Sequence, residues 1–377
     1  MSGYIINLPD DLLTLVLLRL PIHFLLRSRC VSKSWRDLID SPHFTNLRSR
    51  PTTSSSEIVV GLSDQSTFFT LEFDSKNSSV AISRQLNYHD PESKIHNLFI
   101  GSCNGLLCFT NSNEDIILWN PLTQKHWELP SPPIEYSMGE QVSSRLGFGY
   151  DQVNDDYKVV SIIRLRDIFE ESSDYEDEVY VYSLKLNRWR KIGEFSWKFP
   201  EQEQEVGAFS NGSLHWIVKK KQWNVVNLIA FLDLRNEEIG VMPCARDPND
   251  LIKQQLRILN GNLCMISYYY LAGRYRVGIS VMKEYGIEKS WTKLTTIKMD
   301  DYGVWSLWKL RPIMLLKNGR KLILQMERDN KLVVYDVLTR SMEDVSIDAS
   351  PSPSPSPSPS QAKLQISCVF LHNITSV

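Results

Sequence analysis

A short turn sequence recurs through most of this chain at a nearly constant interval. Asn-Gly pairs occur at Asn104-Gly105, Asn211-Gly212, Asn260-Gly261 and Asn318-Gly319, and Asn154-Asp155 takes the same place once more. Both residues of such a pair tolerate positive φ, which the tightest turns between antiparallel strands require. The steps from Asn104 to Asn154, Asn211, Asn260 and Asn318 are 50, 57, 49 and 58 residues in turn. The pattern predicts a repeated antiparallel β-unit of about 50 residues.

A second turn follows each of these pairs after one or two more strands. These turns are Asn120-Pro121-Leu122-Thr123, Lys185-Leu186-Asn187, Arg235-Asn236-Glu237, Tyr285-Gly286 and Leu338-Thr339-Arg340. Two hairpins per unit make a four-stranded sheet, which is typical of a propeller blade. A weaker first copy from Glu57 to Ser83 brings the expected count to about six blades. The segment Leu364 to Leu371 is expected to close the ring, and the alternative is a two-sheet β-sandwich with irregular loops.

The start of the chain has a different, helical pattern. Pro9 and the two aspartates after it suit the first turn of a helix, because proline lacks an N–H and carboxylates favour the positive end of the helix dipole. Pro21 ends this helix, a second apolar segment carries Ile22 to Leu26, and a third helix runs from Val31 to Ile39. Apolar residues recur at helical spacing in the first helix, at Leu12, Leu13, Val16, Leu17 and Leu20.

Three short helices cannot enclose a core of their own with so much leucine. Part of this apolar surface must be covered by the rest of the chain, as an N-terminal cap, or by a partner protein. The order of the residues favours a partner. The runs that closely resemble the F-box motif are Leu8-Pro9-Asp10-Asp11-Leu12-Leu13, Val16-Leu17, Arg19-Leu20-Pro21, Leu25-Leu26-Arg27 and Val31-Ser32-Lys33-Ser34-Trp35-Arg36. His23-Phe24 departs from the motif, where the family usually has a polar pair.

The F-box resemblance implies docking to the adaptor Skp1 and, through it, to cullin 1 of a ubiquitin ligase. By the motif, the residues expected to contact Skp1 are Leu8, Pro9, Leu12, Leu13, Val16, Leu20, Pro21, Leu25, Val31 and Trp35. Trp35 has a second interpretation, in which it packs inside the small helical module.

Three stretches of the β region carry a further resemblance. They look like the F-box-associated region of plant F-box proteins, which is similar to kelch propellers in repeat length. The stretches are Gly147-Phe148-Gly149-Tyr150-Asp151 followed by Asp156-Tyr157-Lys158-Val159-Val160, then Trp119-Asn120-Pro121-Leu122-Thr123, and Gly212-Ser213-Leu214-His215-Trp216. The family includes pollen self-incompatibility factors and regulators of immune-receptor turnover.

Together these patterns predict an α+β protein that is mainly β. A three-helix F-box is expected over residues 1–47, a polar linker over 48–56, and a β-propeller-like domain of about six blades over 57–377. The Ser-Pro alternation within residues 349–361 favours polyproline II and cannot pair in a sheet, so we expect a loop before the last strand.

Charge and cysteine content argue against several classes of function. The net charge is −2, so no overall field attracts nucleic acid or an anionic membrane. The six cysteines show neither C-x-x-C nor the spacing of a disulfide framework, which indicates reduced thiols in the cytoplasm, the nucleus or both. Arg19 and Pro21 interrupt the long apolar run near the start, so we expect neither a targeting peptide nor a membrane span.

No set of residues carries the chemistry of an enzyme, and no cofactor is expected. Gly101-Ser102-Cys103-Asn104-Gly105 matches the sequence pattern of a nucleophile elbow, but that motif requires a strand-to-helix turn, and here Asn-Gly leads into another strand. The histidines are scattered, with none at metal-ligand spacing from another histidine or a cysteine. His215 is expected to be a strand residue with a hydrogen-bond partner. A propeller enzyme would need clustered carboxylates or metal ligands, which the sequence does not show.

Tryptophans mark the expected binding surface of the propeller. Nine of the ten lie in the β region, and most should fill space between blades. Trp305 and Trp308, in a loop-like stretch, are the expected contacts with a target. The predicted function is substrate recognition in an Skp1–cullin–F-box ubiquitin ligase, which presents a target protein for ubiquitination and proteasomal degradation. The alternative is a scaffold that binds a partner without driving its degradation.

Overall fold

The computed structural model describes a small helical module and a ring of β-sheets. The described residues are 9–19, 28, 31–39, 41, 44, 57–62, 67–73, 80–87, 98–111, 113–120, 124–134, 140–167, 177–200, 206–219, 227–245, 251–298, 310–316, 319–326, 331–345, 347–348 and 368–371.

The helical module contains α1 (Asp10–Arg19) and α2 (Lys33–Ile39). α1 begins one residue after Pro9, whose carbonyl accepts the N–H of Leu13 at 3.0 Å. α2 begins after Ser32, whose Oγ accepts the N–H of Trp35 at 3.1 Å and so satisfies one donor that the first turn leaves unpaired. The helix predicted over Val31 to Ile39 is confirmed, and it begins at Lys33. The apolar segment Ile22 to Leu26 lies outside the described residues.

Most strands belong to regular antiparallel blades of four consecutive strands. Three strands precede the blades: β1 (Glu57–Leu62), β2 (Thr67–Phe73) and β3 (Val80–Asn87). Blade 1 contains β4 (Phe99–Cys103), β5 (Leu106–Thr110), β6 (Ile116–Trp119) and β7 (His126–Leu129). Blade 2 contains β8 (Glu140–Asp151), β9 (Asp156–Asp167), β10 (Asp177–Ser183) and β11 (Arg188–Phe195). Blade 3 contains β12 (Ala208–Ser210), β13 (Ser213–Lys219), β14 (Asn227–Asp233) and β15 (Ile239–Pro243).

Blades 4 and 5 follow the same plan. Blade 4 contains β16 (Leu251–Leu259), β17 (Asn262–Leu271), β18 (Arg274–Met282) and β19 (Trp291–Lys298), with a short 3-10 helix, Glu288–Ser290, before β19. Blade 5 contains β20 (Leu310–Leu315), β21 (Lys321–Met326), β22 (Lys331–Asp336) and β23 (Met342–Asp344). Two late strands, β24 (Ile347–Asp348) and β25 (Cys368–Leu371), do not extend blade 5.

A composite sheet joins the two ends of the β region. Its strand order is β24-β3-β2-β1-β25, with β25 antiparallel to β1 and β24 parallel to β3. The first strand of each blade contacts that of the next, and β25 contacts both β4 and β20, so the ring closes through β25. The propeller-like fold class is confirmed. In the described part of the chain, the expected count of about six blades becomes five regular blades and this composite sheet.

The recurring turns adopt the backbone that their residues favour. Asn104, Asn211 and Asn260 have φ of 44°, 50° and 49°, and the glycine after each has φ of 90°, 72° and 81°. Positive φ at both central residues is the mark of a type I′ hairpin turn. Asp155 adopts φ of 51° at the corresponding place in blade 2. These turns lie on one side of the ring, which we call the Asn-Gly side. Connections between blades and between second and third strands leave the other side, the connection side.

The core lies between neighbouring blades. Separate clusters of buried side chains fill the four spaces from blade 1 to blade 5. Trp216 is buried in the space between blades 2 and 3, as expected of a tryptophan that fills such a space. Trp119 is buried on β6 outside the cluster between blades 1 and 2, whereas Trp127 on the outer strand of blade 1 is exposed. Each space is packed by two sheets, so a side chain there joins one blade to the next.

Candidate functional site

α1 has two different apolar faces. Leu13 and Leu17 point inward and form the core of the helical module with Ile39 and Phe44. Leu12, Leu15 and Val16 are each between 51% and 53% exposed. Their spacing of three and four residues places them on one side of the helix, which we call the outer face.

The outer face takes no part in the module core that the described residues form. Leu18, Trp35 and Leu38 are partly buried and pack against that core instead. Val31, just before α2, is also exposed. A helix normally turns its apolar side inward, so a second apolar face that stays exposed indicates a surface made to be covered by another protein.

The structure divides the expected Skp1 contacts into three groups. Pro9, Leu12, Val16 and Val31 are exposed. Leu13 lies in the module's own core, and Trp35 is half-buried against that core. Leu8, Leu20, Pro21 and Leu25 lie outside the described residues, as do Trp305 and Trp308. Leu15 belongs to the outer face but not to the set expected from the motif; its spacing of three from Leu12 was the available signal.

A buried ion cluster joins blade 2 to blade 3. Lys158 Nζ donates to Asp151 Oδ2 at 3.0 Å, to Glu237 Oε1 at 3.1 Å and to the Leu234 carbonyl. The side chains of Lys158, Asp151 and Glu237 are only 7%, 0% and 9% exposed. Burial alone would raise the pKa of the Asp151 carboxyl, but hydrogen bonds from Asn154 and Lys158 outweigh burial and hold this pKa below its usual value.

Glycines beside this cluster allow the two blades to approach closely. A Cβ added to Gly149 would lie 2.3 Å from Phe209 Cδ2 and 2.7 Å from Leu234 Cδ1, and one added to Gly147 would lie 2.8 Å from Leu214 Cδ1. The Gly-Phe-Gly-Tyr-Asp stretch and its Tyr-Lys partner are therefore a structural joint between blades. Nothing in this joint indicates catalysis.

We expect Gly149→Ala to lower the free energy of unfolding by about 1–3 kcal/mol, because the new methyl group meets the Phe209 ring in a packed space. Gly101→Ala is the matched control, since its nearest neighbour would be Phe148 Cβ at 3.5 Å, an ordinary contact. Urea unfolding of both variants measures the difference. Equal destabilisation by the two substitutions would contradict the close approach.

His215 joins blade 3 to blade 4 on the Asn-Gly side. Its Nδ1 lies 2.9 Å from the Ala208 carbonyl oxygen, and its Nε2 lies 2.8 Å from the Tyr285 hydroxyl. A carbonyl only accepts, so Nδ1 carries the proton and Nε2 accepts from Tyr285. The expectation of a strand histidine with a hydrogen-bond partner is confirmed. Burial lowers the pKa of His215 to about 4.

Stability should therefore fall as the pH drops from about 6.5 to about 4, because the unfolded chain protonates His215 in this range and the folded chain does not. The expected loss is up to about 3 kcal/mol. We expect His215→Gln to remove this part of the pH dependence, whereas substitution of exposed His126 should leave it intact. Unfolding free energies across this pH range test the assignment, and an unchanged slope in His215→Gln would contradict it.

The described residues offer no metal centre. No group of three or more His, Cys, Asp and Glu side chains among them is placed to hold a metal ion. Cys103, Cys108, Cys244 and Cys264 form no disulfide among the described residues, and burial raises the pKa of the Cys103 and Cys264 thiols to about 12. Neither α1 nor α2 has the length and hydropathy needed to cross a membrane.

Comparison with known families agrees with both parts of the structure. Residues 5–47 match the F-box domain, and residues 58–371 match the F-box associated beta propeller domain. The chain therefore belongs to the F-box proteins that carry an F-box-associated β-propeller. Proteins of this family are generally non-catalytic adaptors, and an F-box domain implies Skp1 binding.

Similar proteins are known from Arabidopsis thaliana. F-box protein CPR1 is 28% identical, over 92% of this chain and 86% of its own length. F-box protein At4g22390 is 29% identical, over 90% and 86%. F-box/kelch-repeat protein At3g23880 is 30% identical, over 77% and 79%. The similarity to plant F-box proteins with a kelch-like propeller is thus confirmed across most of the chain.

Proposed function

We propose that this protein is the substrate-recognition subunit of an Skp1–cullin–F-box ubiquitin ligase. The helical module binds an Skp1-like adaptor, and the adaptor links the chain to cullin 1. The observation that carries this proposal is the outer face, Leu12, Leu15 and Val16, which stays exposed while Leu13 and Leu17 of the same helix are buried against Ile39 and Phe44.

The energetics of the outer face support a stable complex. Full burial of a leucine or valine side chain contributes about 1.5–3 kcal/mol. Three such side chains on one helix give a continuous apolar patch, and Val31 is a fourth exposed apolar residue in the same module. Interfaces built around apolar helical anchors resemble a protein core, so the adaptor is expected to remain bound during purification.

The propeller is proposed to hold the target protein. Trp305 and Trp308 fall in sequence between Lys298 and Leu310, which are the described ends of β19 and β20 on the connection side. We therefore propose that the target binds on the connection side. The role of the chain is positional: it forms no covalent intermediate and raises the effective concentration of the target near a ubiquitin-loaded enzyme.

The cytoplasm, the nucleus or both are the proposed location. The free, buried thiols of Cys108 and Cys264 are consistent with a reducing compartment, where disulfides are rare.

Proximity labelling in cells with the proteasome blocked tests the proposal. The intact chain is compared with Leu12→Asp/Val16→Asp, which keeps the propeller and alters only the outer face. We expect both to label the same targets, and only the intact chain to shorten target half-life when the proteasome is active. Unchanged half-lives would instead favour a scaffold that does not drive degradation.

A further inference from the structure

A cavity of about 260 Å³ opens on the Asn-Gly side, between blade 2 and blade 3. Its floor is a row of cross-strand neighbours in blade 2, in which Ser183 of β10 lies opposite Lys158 of β9 and Arg188 of β11. Its walls are the turn that carries Lys185 and Leu186 and the turn of blade 3 that carries Glu237. Every turn that borders the cavity is described by the structure, so its charges can be counted.

The cavity has more positive than negative charge. Lys158, Lys185, Arg188 and Arg190 line it, against the carboxylates of Asp156 and Glu237. Both carboxylates are occupied: Asp156 accepts from Ser183 Oγ and the Lys185 N–H, and Glu237 binds Lys158 and Arg190.

Two of the cations keep an uncompensated charge. Lys185 Nζ donates to the Asn154 carbonyl at 2.9 Å, and neither Lys185 nor Arg188 pairs with a carboxylate among the described residues. Both are exposed at the mouth of the cavity, beside the exposed Leu186. The corresponding cavity of blade 5 differs, because Arg320 and Lys321 are matched there by Asp336 and Glu343, and Arg320 is paired with Asp336.

We propose that this cavity, which we call the blade 2 cavity, binds an acidic segment of a partner protein. An aspartate or glutamate carboxylate enters the cavity and accepts from Arg188, whose guanidinium can bind it through two parallel hydrogen bonds. An apolar side chain next to that carboxylate packs on Leu186. Lys185 and Arg188, which pair with no carboxylate among the described residues, supply the charge complementarity, and the exposed leucine selects a peptide over a small free anion.

Other occupants fit these features less well. A nucleic acid would require a broad basic surface, whereas this chain has a net charge of −2 and this cavity offers only two cations without a carboxylate partner, Lys185 and Arg188. A second copy of the chain would have to offer an acidic segment of its own, and that possibility is an outcome of the test. The proposal goes beyond the proposed ligase function, because it concerns the side of the ring opposite the proposed target site and needs no adaptor.

The test selects binders from a display library of random peptides with the immobilised full-length chain. We expect the enriched peptides to contain more Asp and Glu than Lys and Arg, with an apolar residue adjacent to a conserved acidic position. Their affinity should fall at least about tenfold for Arg188→Glu/Lys185→Glu. Leu186→Ser, a second variant with unchanged charge, should weaken binding by a smaller factor.

The matched control is Lys283→Glu/Lys289→Glu, which makes the same charge change at exposed lysines on the Asn-Gly side of blade 4. It should leave peptide binding intact, and thermal melting should confirm that all variants fold. Enriched peptides without an acidic excess, or equal loss in the control, would overturn the proposal. Preferential binding of an oligonucleotide, or a dimer that Arg188→Glu/Lys185→Glu dissociates, would assign the cavity to another occupant. These tests use the chain without an adaptor, so their outcome does not depend on whether the proposed adaptor binding is correct.

Discussion

Replacing Leu12 and Val16 together by aspartate is expected to abolish co-purification with an Skp1-like adaptor. Both side chains are half-exposed on the outer face of α1, where an adaptor would bury them. The substitution removes two apolar anchors and places two carboxylates in an apolar contact, so we expect binding to weaken at least about a hundredfold. Pull-down followed by titration calorimetry measures the loss.

Two further variants make this result interpretable. Ile287→Asp/Leu338→Asp introduces the same charges at exposed apolar residues of the propeller and should leave adaptor binding unchanged. Leu13→Asp places a charge in the core of the helical module and should unfold the module as well as prevent binding. Undiminished adaptor binding by a folded Leu12→Asp/Val16→Asp variant would rule out the outer face as the docking surface.

Lys158→Met is expected to lower the free energy of unfolding by about 3–5 kcal/mol, the usual cost of removing one partner from a buried ion pair. The change leaves the fully buried carboxylate of Asp151 without its cation and removes one of the two cations bound to Glu237. The joint between blades 2 and 3 then carries uncompensated negative charge. Chemical denaturation of the intact chain measures the effect.

An exposed ion pair provides the comparison. Lys191→Met removes the partner of Glu178, but both side chains reach solvent, so the expected cost is less than about 1 kcal/mol. Adding Asp151→Asn to Lys158→Met should restore part of the stability, because the amide oxygen still accepts from the Val153 and Asn154 N–H groups and carries no charge. Equal losses of unfolding free energy for Lys158→Met and Lys191→Met would show that the buried ion cluster stabilises the fold no more than an exposed ion pair.

Local chemistry explains why much of the propeller could be predicted. The predicted Asn-Gly turns at Asn104, Asn211 and Asn260 adopt the positive φ that their residues favour, and each joins two antiparallel strands, as predicted. Turn type and strand alternation depend on a few neighbouring residues, so the sequence displays them directly.

Features made by distant residues could not be predicted in this way. Helical spacing groups Leu12 with Leu13 in one broad apolar face, and only the position of Ile39 and Phe44 decides that Leu13 lies inside and Leu12 outside. Lys158 and Glu237 are 79 residues apart, and the sequence carries no local signal that they meet. The blade 2 cavity depends on the same long-range contact between blades.

Closure of the ring has a consequence for how the protein is made. Among the described strands β25 comes last in the sequence, yet it pairs with β1, the first of them. Until β25 is synthesised, the earlier blades can form only an open arc, in which one edge of β1 is unpaired. The ring closes when β25 pairs with that edge. A chain truncated before Cys368 would keep the helical module but leave the ring open. Such a chain could bind an adaptor without presenting a complete target-binding surface.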